Sequence, residues 1–127
     1  MADLRRPIPT ILLNDTRVDR HHGCSRVISA IDSLLSNNHC GIVASIPAHT
    51  DWAASAEFNQ SSGKARLIVV NGEGTLHHDR PAGRRLLEAG RWARAQGIPA
   101  VLVNAGWEAN GPDMLSMLQD FALVAVR

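Results

Sequence analysis

Leu67-Ile68-Val69-Val70-Asn71-Gly72-Glu73-Gly74-Thr75-Leu76-His77-His78 decides how this chain is read. Its opening residues are apolar and mostly β-branched, the composition of a strand buried on both faces of a parallel sheet. The run then breaks into a loop with two glycines around a carboxylate, followed by adjacent histidines. Ligands of open α/β sheets sit beyond the carboxyl ends of the strands. Two glycines at such a place let the backbone turn sharply and approach a ligand closely. The loop is expected to be the heart of a binding site.

Working outward, other apolar runs read as strands over residues 10–14, 42–46, 100–104 and about 121–126, with residues 1–9 as a polar lead-in. Val27, Ile28, Ile31, Leu34 and Leu35 recur at helical spacing, so a helix is predicted over residues 25–37, capped by Ser25. Pro47 stops the second strand, and a short helix over 50–58 starts at Thr50 or Asp51 with Trp52, Ala56 and Phe58 inward. Residues 59–64 read as a surface loop. Asp79-Arg80-Pro81 has the form of a helix entry, a capping carboxylate before a first-turn proline. That helix carries Leu86, Leu87, Trp92 and Ala93 inward and ends at Gly97 and Pro99. A last short helix spans 112–119.

Strands alternating with helical segments imply βαβ units and a parallel sheet. The expected fold class is α/β: a Rossmann-like parallel sheet of about five strands with flanking helices, in a single domain over residues 1–127. The final strand has no closing helix after it, which suggests a piece of a longer, two-domain protein.

Composition narrows the function. The chain has 127 residues, 45% hydrophobic and 20% charged, as in a globular protein, and its 4% aromatic share requires an aliphatic core. A net charge of +1 with interspersed signs gives no electrostatic footprint for nucleic acid or an anionic membrane. No apolar run approaches the roughly 20 residues of a membrane span, and residues 1–16, with two arginines, lack the continuous apolar core of a signal peptide. Cys24 and Cys40 flank the first helix, on the order of 20 Å apart, too far for a disulfide. A reducing, cytoplasmic setting is expected.

Three polar clusters fall at strand carboxyl ends: Asn14-Asp15-Thr16 with His21-His22, the loop 72–78, and residues 104–108. Regular alternation places all of them on one edge of the sheet. Taken alone, Asp15 or Asn104 reads first as a loop cap, and it is their convergence on one edge that points to a site; Glu73 suits either a ligand or its own loop. No P-loop or dinucleotide fingerprint is present, and Glu73 would repel a bare phosphate while suiting the hydroxyls of a sugar. Adjacent histidines on extended chain point to opposite sides, so each pair can offer one ring to a common site. A metal centre of these rings with Asp15 and Glu73 is conceivable, but no fixed ligand spacing supports one, and neither metal nor cofactor is expected. Acid–base work or hydrogen-bonded binding is the expected use of the imidazoles. His39 and His49 read as surface loop residues, and Cys24 as a small buried residue at a helix start.

Asn14-Asp15-Thr16, His21-His22-Gly23-Cys24, the string from Asn71 to His78, and Val103-Asn104-Ala105 resemble the amino-terminal part of the polysaccharide pyruvyl transferase family. The resemblance extends over most of residues 10–127. It implies the first half of a two-domain, GT-B-type transferase that moves a pyruvyl group from phosphoenolpyruvate onto a sugar hydroxyl as a ketal. The acceptor sugar would bind near this edge, and phosphoenolpyruvate through cationic residues of a second domain. The reaction needs a base at the attacking hydroxyl and an acid at the methylene carbon. Glu73, Asp15, His77 and His78 are the catalytic candidates. Asn14, Thr16, His21, His22, Gly72, Gly74, Thr75 and Asn104 are the substrate-binding candidates. Alone, this part is expected to be inactive. The alternatives are a stand-alone flavodoxin- or receiver-like binding module and a metal-dependent hydrolase using the histidine pairs.

Overall fold

The computed structural model describes residues 6–20 and 22–127. Among them are strands β1 (Ile8–Asp15), β2 (Cys40–Pro47), β3 (Leu67–Asn71), β4 (Ala100–Ala105) and β5 (Leu123–Val126). They form one sheet in the order β2-β1-β3-β4-β5, every neighbouring pair parallel. Ile11, Leu12 and Leu13 of β1 and Ile68, Val69 and Val70 of β3 are at most 1% exposed. Alternate side chains point to opposite faces, so these continuous apolar runs are buried because both faces are covered.

One face is covered by α1 (His22–Asn37), whose Ile28, Ile31 and Leu35 pack on Leu12 and Val69. The other carries α2 (Ala56–Ser61), α3 (Pro81–Ala95) and α4 (Pro112–Met117). Phe58, Leu86, Leu87, Ala93 and Met114 there meet Ile11, Leu13, Ile68, Val70 and Leu102. Trp52, Phe58 and Trp92 pack edge to face, with centroids 5.0–6.4 Å apart. The chain steps from β1 outward to β2, then returns across β1 to β3 and continues to β4 and β5. Right-handed crossovers put α1 on one face and the later helices on the other when direction reverses in this way. That reversal makes the gap between the ends of β1 and β3 the topological switch point.

Several boundaries differ from the sequence expectation. β1 begins at Ile8 and includes Pro9, because Arg66 N–H donates to the Pro9 carbonyl and ties this end to the neighbouring strand. Helix α1 starts at His22, so Ser25 lies inside it and Cys24 is in its first turn. The segment expected to be one helix over 50–58 is a 3-10 turn, Trp52–Ala54, followed by α2. Asp51 caps the turn and Ser55 caps α2, accepting from Ala53 N–H at 3.2 Å and Phe58 N–H at 3.3 Å. Asp79 does not cap α3. Its backbone is left-handed (φ 52°) and its carboxylate accepts instead from Gly111 N–H at 2.8 Å. The helix from Pro112 tightens at Leu118 into a 3-10 turn, and Phe121 serves the core ahead of β5.

On the α1 face, cover thins toward β5: Val101 and Val103 are half-buried, and Leu123, the register partner of Val101, is 57% exposed. No helix among the described residues is long and apolar enough to cross a membrane. Both cysteines are free thiols.

Candidate functional site

Three asparagines finish the central strands. Asn14 (φ 65°) and Asn104 (φ 54°) adopt left-handed backbone, which asparagine tolerates better than other side chains with a Cβ. The pairing register shifts beside each of them, so the strand ends bend at the site. Asn71, fully buried, links the two. Its Nδ2 donates to the Asn14 carbonyl at 3.2 Å, and its Oδ1 accepts from Asn104 Nδ2 at 3.3 Å and Glu73 N–H at 3.2 Å. Asn14 Nδ2 returns a bond to the Asn71 carbonyl at 2.7 Å and reaches Thr75 Oγ1 at 3.3 Å. Thr75 in turn donates to the Glu73 carbonyl at 2.8 Å. Buried amides in this position need partners, and here each supplies its neighbour's.

The two loop glycines answer different needs. A Cβ on Gly72 would stand 2.9 Å from the Ala105 Cα and 3.1 Å from Leu76 Cδ1, so close approach of the loop to β4 requires its absence. Gly74 has open space around it but sits at φ +70°, where a side chain strains the backbone. Together they lift Glu73 over the switch point.

The Glu73 carboxylate is half-buried and held by neutral groups. Thr16 Oγ1 donates to Oε2 at 2.9 Å, and the Cys24 thiol lies 3.8 Å from Oε1. Among the described residues it has no ion-pair partner. It faces a cleft of about 430 Å³, whose wall includes Asn14, Thr16, Cys24, Gly74 and Thr75. Asp19, Ala48, His49 and Arg127 also line it. The volume falls in the range of about 300–1,000 Å³ typical of small-molecule sites. Asp19 and His49, on the loops after β1 and β2, meet at 2.8 Å across the rim.

Asp15 lies at the same strand ends but outside that wall. Its carboxylate accepts from Arg17 Nε, Arg17 N–H and Ser45 Oγ, the last at 2.6 Å. Burial pushes its pKa up, but the bonds from Arg17 and Ser45 outweigh that and hold the carboxyl below its ordinary value. The same pairing raises the Arg17 guanidinium. A carboxylate with its oxygens so engaged is a clamp between β1 and β2, a poor proton acceptor.

The histidines divide. His77 and His78 follow buried Leu76 and stand beyond the cleft, His77 half-buried in a neighbouring hollow with Trp107 and Glu108. The expectation that adjacent rings part to opposite sides fails because His78 is left-handed at φ 54°. Their Nδ1 atoms lie 3.0 Å apart. His22 is exposed at the start of α1 and absent from the cleft wall, and His21 lies outside the described residues. Of the described catalytic candidates, Glu73 lines the cleft while Asp15, His77 and His78 do not, and no group of three or more His, Cys, Asp or Glu side chains among the described residues is placed to share a metal ion.

The structure therefore gathers Asn14, Thr16, Glu73, Gly74 and Thr75 around the cleft, with Gly72 and Asn104 behind them as support. Sequence reasoning read Cys24 as a small buried residue and His49 as a surface residue, and gave no site role to Asn71, Asp19 or Arg127. The loop after β2 ends at the same edge as the others, so the strand-end rule applied to that strand already points to His49. Compared with protein-family models, curated proteins and solved structures, the chain matches none.

Proposed function

We propose that this domain binds the acceptor sugar of a pyruvyl transferase-like reaction in the cleft between the ends of β1 and β3. The observation that carries the reading is the Glu73 carboxylate, held by a hydroxyl and a thiol with no ion-pair partner among the described residues, in a cleft that presents Asn14, Thr16 and Thr75 beside Asp19, His49 and Arg127. Carboxylates and amides are hydrogen-bonding partners for vicinal hydroxyls, whereas an uncompensated carboxylate repels a phosphate.

In this reading Glu73 accepts the proton of the attacking sugar hydroxyl, Thr16 positions the carboxylate, and Asn14 and Thr75 hold the loop. Asp15 keeps β1 and β2 together beneath the site. The donor phosphoenolpyruvate is assigned to a second domain by the family resemblance alone, so the contribution argued from this chain's geometry is acceptor binding and base catalysis.

The test is a nuclear magnetic resonance titration of the chain with a panel of neutral and acidic monosaccharides and disaccharides. Expected are saturable shifts centred on the amides of Thr16, Glu73, Gly74 and Thr75, with affinity at least tenfold weaker in Glu73→Gln. A panel that leaves those amides unmoved in the folded protein refutes the proposal. Isolated protein supplied with phosphoenolpyruvate and the bound sugar is expected to show no turnover.

A further inference from the structure

We propose that His77 and His78 form a two-imidazole chelate for a borderline divalent transition metal, Cu²⁺ or Ni²⁺, on the rim beside the cleft. The two Nδ1 atoms lie 3.0 Å apart with the rings crossed at 86°. With metal–imidazole bonds of about 2.0–2.1 Å, that separation closes an N–metal–N angle of roughly 95°. Such an angle is near the right angle between neighbouring ligands in tetragonal Cu²⁺ and Ni²⁺ sites and short of the tetrahedral angle of zinc. Without metal, the same spacing serves one N–H···N hydrogen bond between the rings. Metal binding replaces that proton, and the exposed His78 leaves the pair open to an ion from solvent.

The backbone under the pair is tied from both sides, so the rings are presented by a fixed platform. His78 N–H donates to the Glu108 carbonyl at 3.0 Å, and Glu108 N–H to the Leu76 carbonyl at 3.3 Å. Asn110 Nδ2 donates to the same Leu76 carbonyl at 2.8 Å, and Asp79 N–H to Asn110 Oδ1 at 3.0 Å. His78 and Asp79 are both left-handed, at φ 54° and 52°, which turns the second ring back onto the first. Two protein nitrogens leave the remaining coordination positions to water or to an oxygen ligand. This site is independent of the sugar reading, since neither ring lines the cleft.

The experiment is titration of the full chain with Cu²⁺ against a competing chromophoric chelator, with electron paramagnetic resonance of the bound ion. Expected are one equivalent of Cu²⁺ and hyperfine coupling to two imidazole nitrogens. His77→Gln and His78→Gly are each expected to weaken binding by roughly a hundredfold, the loss of a chelate's second arm. Glycine at position 78 suits the left-handed backbone, so that variant stays folded. The double substitution His21→Ala/His22→Ala is expected to leave affinity unchanged. Binding that survives in His77→Gln and His78→Gly, binding lost in the His21/His22 variant, or no stoichiometric binding by the wild type would each overturn the proposal.

Discussion

Gly83→Ala tests directly how α3 is seated against the site. Gly83 is buried in the first turns of that helix, and a Cβ there would stand 2.6 Å from the Thr75 carbonyl oxygen. Met114 Cε at 3.3 Å and Leu76 Cδ2 at 3.5 Å close the remaining space. A comfortable C–H···O contact is about 3.3–3.6 Å, so helix and loop must part by roughly 0.7 Å or more. Alanine improves helix propensity by about 1 kcal/mol, whereas overpacking costs about 1–3 kcal/mol. The obstacle here is backbone that a hydrogen-bonded loop holds in place, so the cost sits at the upper end, and a net loss of about 1–2 kcal/mol is expected. For a domain of this size that corresponds to a fall in Tm of about 4–10 °C. Urea unfolding followed by the fluorescence of Trp52 and Trp92, which pack in the core, measures it. Because Thr75 bonds to both Glu73 and Asn14, its displacement is also expected to weaken the proposed sugar binding. Gly90→Ala is the control: its Cβ would meet the Phe121 ring at 2.5 Å, far along the helix from the loop, and it lowers stability while sparing the cleft. A Gly83→Ala protein more stable than the wild type by about 1 kcal/mol would refute the packing argument, since propensity would then act unopposed.

Other perturbations separate shape from chemistry. Glu73→Gln is expected to change stability by less than about 0.5 kcal/mol, as the amide can still accept from Thr16, and to weaken sugar binding at least tenfold by calorimetry. Gly74→Val is expected to cost about 1–2 kcal/mol through backbone strain alone, with no collision, since the space around that position is open. Denaturant midpoints that match wild type would argue against a left-handed residue there. Asp15 carries a depressed pKa, so its ionised contacts contribute fully above the ordinary value of 3.8 and are lost as pH falls through the lower folded value. Removing the Ser45 hydroxyl by Ser45→Ala weakens that depression, and the acid-unfolding midpoint followed by circular dichroism is expected to move to higher pH. An unmoved midpoint would show that Arg17 alone sets it.

The fold was legible because its signals are local and repeated. Ile11–Leu13 and Leu67–Val70 are apolar at every position, as a doubly covered strand requires, and Gly97 ends α3 where it should, at φ +71°. Helix starts were less legible, because capping depends on backbone direction. Asp79 has a good capping side chain but is turned away by its own φ, and α3 begins after Arg80 with no side-chain cap. The site was partly legible. Strand-end loops marked Asn14, Thr16 and Glu73, but residue type gave no hint that Arg17 and Ser45 would occupy Asp15, or that His78 would fold back on His77. Those outcomes rest on contacts between loops distant in sequence, or on a single dihedral angle.

The asparagine chain across β1, β3 and β4 bears on how the strands find their alignment. Where both faces of a strand are greasy, sliding it along its neighbour by one or two places keeps greasy residues in greasy surroundings, so alternation gives only weak guidance. Asn71 removes that freedom: at 0% exposure, any misaligned pairing strands its amide without partners, at about 1–3 kcal/mol for each group left unmet. The polar rungs at the mouth thus act as the sheet's ruler, and the same three residues that brace the loop beside the cleft tell the strands where to stop.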